Sequence, residues 1–96
     1  MESFRKKILH CKTICNEELK KRKTGVLGEA TTEQLYVIIR EMDNILQMLT
    51  TNSLPLRNER FLLSFANAFT VWGWNMNQPT EIFLSLTQIN QEYKEL

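Results

Sequence analysis

Apolar residues recur along most of this chain at three- and four-residue steps, the period of a helix that lies half against a core. Phe4, Ile8, Cys11, Cys15 and Leu19 form one narrow stripe, and the spacing predicts a first helix over about residues 3–22. Lys20, Lys21, Arg22 and Lys23 crowd its last turn, where cations favour the negative end of the helix dipole. Gly25 and Gly28 then break the pattern, and Val26 and Leu27 between them are expected to tuck back onto the core. Thr31-Thr32-Glu33-Gln34 fits a capping box, which opens a second helix over about residues 32–49 with Leu35, Ile38, Met42, Ile45, Leu46 and Leu49 inward. The segment Thr50 to Pro55 reads as a turn. A third helix is expected over about residues 56–72, followed by a fourth over about residues 79–94 with Ile82, Phe83, Leu86, Ile89 and Tyr93 buried.

The third of these is unlike the others. Both tryptophans and three of the five phenylalanines lie between Phe61 and Trp74, and only Arg60, Ser64 and Asn67 make a thin polar strip. A helix apolar nearly all round belongs at the centre of a bundle. Phe61, Phe65, Phe69 and Trp72 are therefore expected to form its ridge in the core, and Gly73 to end it in the left-handed conformation. Trp74 lies past that end, either as a lid on the core or as an anchor for a partner. The expected fold is all-α: a compact four-helix domain, residues 1–96, with a central apolar third helix.

Composition sharpens this picture at few points. Ninety-six residues with three glycines, two prolines and few β-branched runs favour one helical domain over a sandwich or barrel. No apolar stretch approaches the roughly 18–20 residues of a membrane span, and the N-terminus lacks a signal-peptide pattern, so a cytoplasmic protein is expected. Charge is split: residues 1–23 carry eight Lys/Arg against three Glu, and the remainder four Lys/Arg against eight Asp/Glu. The first helix is basic and the rest acidic.

The chain offers little to a catalytic reading. The single histidine, His10, has lysines for sequence neighbours and no orienting carboxylate among them. Cys11 and Cys15 share one helix face, which suits neither a disulfide nor, with too few ligands, a metal, so they read as buried structural thiols. No phosphate loop, nucleophile turn or zinc-binding histidine pair occurs. The expectation is a non-enzymatic protein with no cofactor and no metal.

The stretch Arg60 to Ala66, with Trp72-Gly73-Trp74 and then Pro79-Thr80-Glu81-Ile82-Phe83, resembles the small helical immunity proteins encoded beside bacterial polymorphic and contact-dependent toxins. The run Gly28 to Leu35 adds to the likeness, which covers about two thirds of the chain. The resemblance implies a protein that binds a cognate toxin stoichiometrically, with a nuclease as one candidate target. It carries no site residues with it. Charge and spacing supply candidates instead: Glu29, Glu33, Val37, Glu41, Asn44 and Met48 on the outer side of the second helix, where acidic groups would face a basic cleft, and Trp74 as an anchor. Two other readings compete: a nucleic-acid-associated module using the Lys20–Lys23 cluster, disfavoured because no aromatic stacking platform accompanies it, and a homo-oligomeric helical protein joined through Val37 and Met48.

Overall fold

In the computed structural model, which describes residues 2–96, three of the four expected helices stand within two residues of their expected ends. They are α1 (Glu2–Lys23), α2 (Thr32–Thr50) and α4 (Glu81–Glu95), joined by the shorter α3 (Leu63–Thr70). No strand occurs among the described residues. The fold is all-α, with an envelope of 40 × 24 × 20 Å, and its longest helix, α1, is about 33 Å at 1.5 Å per residue.

α1 packs against both α2 and α4. Phe4, Ile8, Cys11, Cys15 and Leu19 are buried as their spacing requires, and Ile14 joins them. Leu35, Ile38, Met42 and Ile45 from α2 and Ile82, Phe83, Leu86, Ile89 and Tyr93 from α4 complete the core. Both cysteines are free and buried. The Cys15 thiol bonds to Cys11, and that bond together with burial pushes it above the ordinary thiol range. The charge split also finds its reason here. Lys7 pairs with Glu92 of α4, Lys12 pairs with Asp43 of α2, and His10 stands 3.6 Å from Glu81. The basic helix lies between two acidic ones.

α2 begins with the full reciprocal capping box: Gln34 N donates to Thr31 Oγ1 (3.1 Å) and Thr31 N donates to Gln34 Oε1 (3.0 Å). α4 begins at Glu81 rather than Pro79, because Thr80 Oγ1 accepts from Phe83 N at 3.2 Å and so takes the cap position. The loop after α1 differs from expectation. Val26 and Leu27 face solvent, and Ala30 is the residue that packs inward. Arg22 holds this loop through Nε to the Ala30 carbonyl and Nη1 to the Val26 carbonyl. Its guanidinium passes so close to Gly28 that a Cβ there would collide with it.

The third helix departs most. Residues 56–72 are not one helix: a 3-10 turn (Arg57–Glu59) and an extended step lead into eight helical residues. Two long-range acceptors take the amides that a continuous helix would have kept. Asn90 Oδ1 of α4 accepts from Leu62 N (2.8 Å), and the Glu41 carboxylate of α2 accepts from Leu63 N (2.7 Å) and Ser64 N (2.8 Å). Arg57 and Arg60, from the preceding turn, donate to the Glu95 and Leu96 main-chain oxygens and so satisfy the end of α4. α3 is consequently not the central helix. Leu62, Ser64 and Ala68 face inward, whereas Phe61, Leu63 and Phe69 are more than half exposed. Of the strip expected to be wet, Ser64 is buried and Arg60 and Asn67 are half-buried, while Phe61 and Phe69 of the expected ridge are exposed and Phe65 and Trp72 half-buried.

The chain after α3 folds back. Gly73 adopts φ +67°, and Trp74 N returns to the Ala68 carbonyl at 3.1 Å. Trp74 is thereby buried, edge-on to Phe83 with ring centroids 5.6 Å apart, and its Nε1 donates to Gln34 Oε1 (3.2 Å). Trp72 is only half-buried and leans on Trp74 from outside, at 5.3 Å. Trp74, not Trp72, is the tryptophan of the core. Trp74→Ala or Phe83→Ala should therefore lower stability by about 3–5 kcal/mol, and Phe61→Ala or Phe69→Ala by about 1 kcal/mol or less. Urea unfolding of the four variants checks this ordering.

Candidate functional site

The outward turn of α3 determines what the surface offers. A helix whose amides are fixed by Glu41 and Asn90 cannot rotate to hide its aromatic side. Phe61, Leu63, Phe69 and Val71 are left exposed within eleven residues of chain, the last at 72%. Single exposed apolar residues are ordinary; here Phe61 and Phe69 line the α4 side of the segment and Leu63 the α2 side.

Three hollows border this segment. Between α3 and α4 lie two adjoining ones of about 290 and 270 Å³, which share Phe65 and Phe69. Their floor contains Phe83 and their walls Phe61, Met76 and Leu84. On the other side, between α2 and α3, a hollow of about 240 Å³ is lined by Val37, Arg40, Glu41, Asn44, Leu63 and Ser64. Ser64 Oγ is buried there without a hydrogen-bond partner among the described residues. A larger groove, about 670 Å³, lies apart, between α1 and α4. His10 and Glu81 meet over it, which supplies the carboxylate that the sequence neighbours of His10 do not. Both side chains are largely exposed.

The residues singled out from the sequence do not form one surface. Glu33, Val37 and Asn44 are exposed on α2, and the last two reach the α2–α3 hollow. Met48 is half-buried against the core. Glu29 is exposed, and its carboxylate accepts from Asn75 N at 2.8 Å, tying the α3–α4 loop to the start of α2. Glu41 is occupied by the amides of α3 and Trp74 is enclosed, so both serve the fold rather than an exposed contact. The acidic outer side of α2 is thus thinner than its sequence implies. The basic cluster at the end of α1 is thinner too. Glu18 binds Lys21 and Arg22, each at 3.0 Å, and the Arg22 side chain is 8% exposed.

What the sequence misses is the α3 surface itself, because Phe61, Leu63 and Phe69 read as core. The signal lay in polar residues at core spacing. Asn90 falls four residues after Leu86 and three before Tyr93, and Glu41 three after Ile38 and four before Ile45. Both belong to inward faces, where a polar side chain needs a partner.

The described residues thus form a helical bundle that exposes an aromatic seam, and no helix among them is long and apolar enough to cross a membrane. No family model, curated protein or solved structure matches the chain.

Two measurements probe the geometry. Glu41→Ala removes the acceptor for two amides and should cost about 1–2 kcal/mol, the range of a lost helix cap, with increased amide exchange at Leu63 and Ser64. Glu18 gives a pH test. Lys21, then Arg22, hold its carboxyl below the ordinary glutamate range. A depressed folded pKa stabilises above the unfolded glutamate value of about 4.3 and is lost as pH falls through the lower folded value. Glu18→Gln should therefore flatten the fall in melting temperature between about pH 5 and pH 3, and a variant with the wild-type acid slope would contradict the pairing.

Proposed function

We propose that this protein is a stoichiometric protein-binding module of the immunity-protein kind, which neutralises a cognate bacterial toxin by covering it. The observation that carries the binding role is the exposure of Phe61, Leu63, Phe69 and Val71 along a short helix and its two flanks, with the start of that helix held from two sides. Aromatic and large aliphatic side chains on a rigid element are the usual anchors of protein interfaces. Because these side chains are already outside in the folded chain, contact would need little rearrangement, and little ordering cost would be subtracted from affinity. The role as a toxin inhibitor rests on the resemblance in the segments Arg60 to Ala66 and Trp72 to Phe83.

The arrangement shifts the proposed contact from the acidic outer side of α2 toward α3. Val37 and Asn44 stay within it, across the hollow from Leu63. Substrate mimicry by acidic groups has less support. Glu41 and Glu29 accept main-chain amides, and Asp43, Glu81 and Glu92 face partners on α1. A reading through nucleic acid is weakened in the same way, since Lys21 and Arg22 are engaged by Glu18.

Co-expression with the product of the neighbouring open reading frame tests the proposal. The expected result is rescue of growth and a one-to-one complex by light scattering. Leu63→Glu combined with Phe69→Glu should weaken that complex by about thirtyfold or more, the size of one interface anchor, with the melting transition retained. Failure to rescue and to co-purify, or an affinity unchanged in the folded double variant, would sink the idea.

A further inference from the structure

The three long helices and α3 are not held alike. α1 packs on both α2 and α4, yet no Cα of α2 lies within 8 Å of one of α4. The side left open between them is filled by α3, which packs on α2 and α4 and brings no Cα within 8 Å of α1. The segment from Leu62 to Trp74 therefore lies across a cleft as a strap does, fastened at its two ends. At the first, Asn90 of α4 accepts from the Leu62 amide and Glu41 of α2 from the next two. At the second, Trp74 rests edge-on against Phe83 of α4 and donates its indole N–H to Gln34 of α2.

Between these fastenings the strap has little hold. The residues buried there are Ser64 and Ala68, both small, while Phe65 and Trp72 are half-buried and Leu63, Phe69 and Val71 face out. α1 alone buries Phe4, Ile8, Cys11, Ile14, Cys15 and Leu19. Apolar burial is the main term holding either surface closed, so it favours the bundle over the strap. The Ser64 hydroxyl adds a cost. Its Oγ is buried and meets no hydrogen-bond partner among the described residues, whereas in an open strap water would bond to it. The chain on either side is anchored separately. Arg57 and Arg60 donate to main-chain oxygens of Glu95 and Leu96 at the end of α4, and Thr80 caps its start. A released strap thus stays tethered to both ends of α4.

We propose that Leu62–Trp74 opens as one unit from a bundle in which α1, α2 and α4 stay packed, and that the buried Ser64 hydroxyl favours this opening. The open form is a minor state of the free chain and needs no partner. It uncovers the sides of α2 and α4 that face each other across the cleft. Leu63, Phe69 and Val71 ride on the outer side of the strap, so a molecule that binds them more tightly in one form shifts the opening.

Native-state hydrogen exchange on the full chain, followed by NMR in low urea, tests this. The amides of Leu62 and Trp74 and the Trp74 indole N–H should share one opening free energy. It should be lower than that of the central amides of α1 and less dependent on urea, because less surface is exposed. Ile8→Val separates this opening from unfolding. Ile8 lies in α1, so the variant weakens the closed and the open-strap forms alike. Exchange in α1 should rise about fivefold, the size of one lost buried methylene, and exchange in the strap should not change. Ser64→Ala relieves the closed form and should slow strap exchange about tenfold, the size of one unsatisfied buried group. Helix propensity alone would slow it only about twofold. Unequal free energies at Leu62 and Trp74 would mean that the ends fray separately, and that overturns the proposal. So does strap exchange that rises together with α1 exchange in Ile8→Val, since the strap then opens only with the whole bundle. A slowing in Ser64→Ala no larger than the propensity effect overturns the part assigned to the hydroxyl.

Discussion

Two side chains, Glu41 from α2 and Asn90 from α4, take the amides of Leu62, Leu63 and Ser64, and most of what distinguishes this bundle follows from that grip. An amide hydrogen-bonded from outside cannot serve a helix running through it, so α3 begins where the grip ends. The carboxylate at the new N-terminus is also where the helix dipole favours negative charge. Once the start is fixed from two directions, the azimuth of the helix is fixed as well. Leu62, Ser64 and Ala68 turn inward, and Phe61, Leu63 and Phe69 are held out. The exposed aromatic seam is thus a consequence of polar bonds made inside the bundle.

Charge follows a parallel logic. A basic helix between two acidic ones satisfies at close range what looks in the sequence like a bipolar surface. Such pairs between partly exposed groups add little stability individually. They do leave fewer unpaired charges on the surface. The same holds where Glu18 draws Lys21 and Arg22 together and Arg22 goes on to brace the loop before α2. With several of its charges turned on each other, the molecule leaves Phe61, Leu63, Phe69 and Val71 as exposed apolar side chains around α3.

The helices that the periodicity located are those whose apolar residues form a single stripe. In α1, α2 and α4 the stripe is unambiguous, and local rules such as the Thr31–Gln34 capping box suffice to set the start of α2. The Phe61–Trp72 stretch has no such asymmetry. With apolar residues on nearly every side, its facing depends on contacts made from 22 and 28 residues away, by Glu41 and Asn90. Glu41 reads as an outward acid until its spacing is compared with Ile38 and Ile45, and Asn90 stands at the same kind of spacing from Leu86 and Tyr93. Of the surface candidates, Glu33, Val37 and Asn44 are where helical spacing places them, because an exposed helix face is a local property. The roles of Glu41 and Trp74 are tertiary, and no window of sequence contains both partners.

One oxygen atom serves two structures at once. Gln34 Oε1 accepts from Thr31 N, closing the first turn of α2, and from Trp74 Nε1, seating the indole over Phe83. Displacing the Gln34 side chain breaks both contacts together, which couples the first turn of α2 to the seat of the tryptophan. The chain therefore carries its own optical gauge. The enclosed indole of Trp74, beside the half-exposed Trp72, would shift its emission when the end of α2 gives way, even if that end lies far from any bound partner.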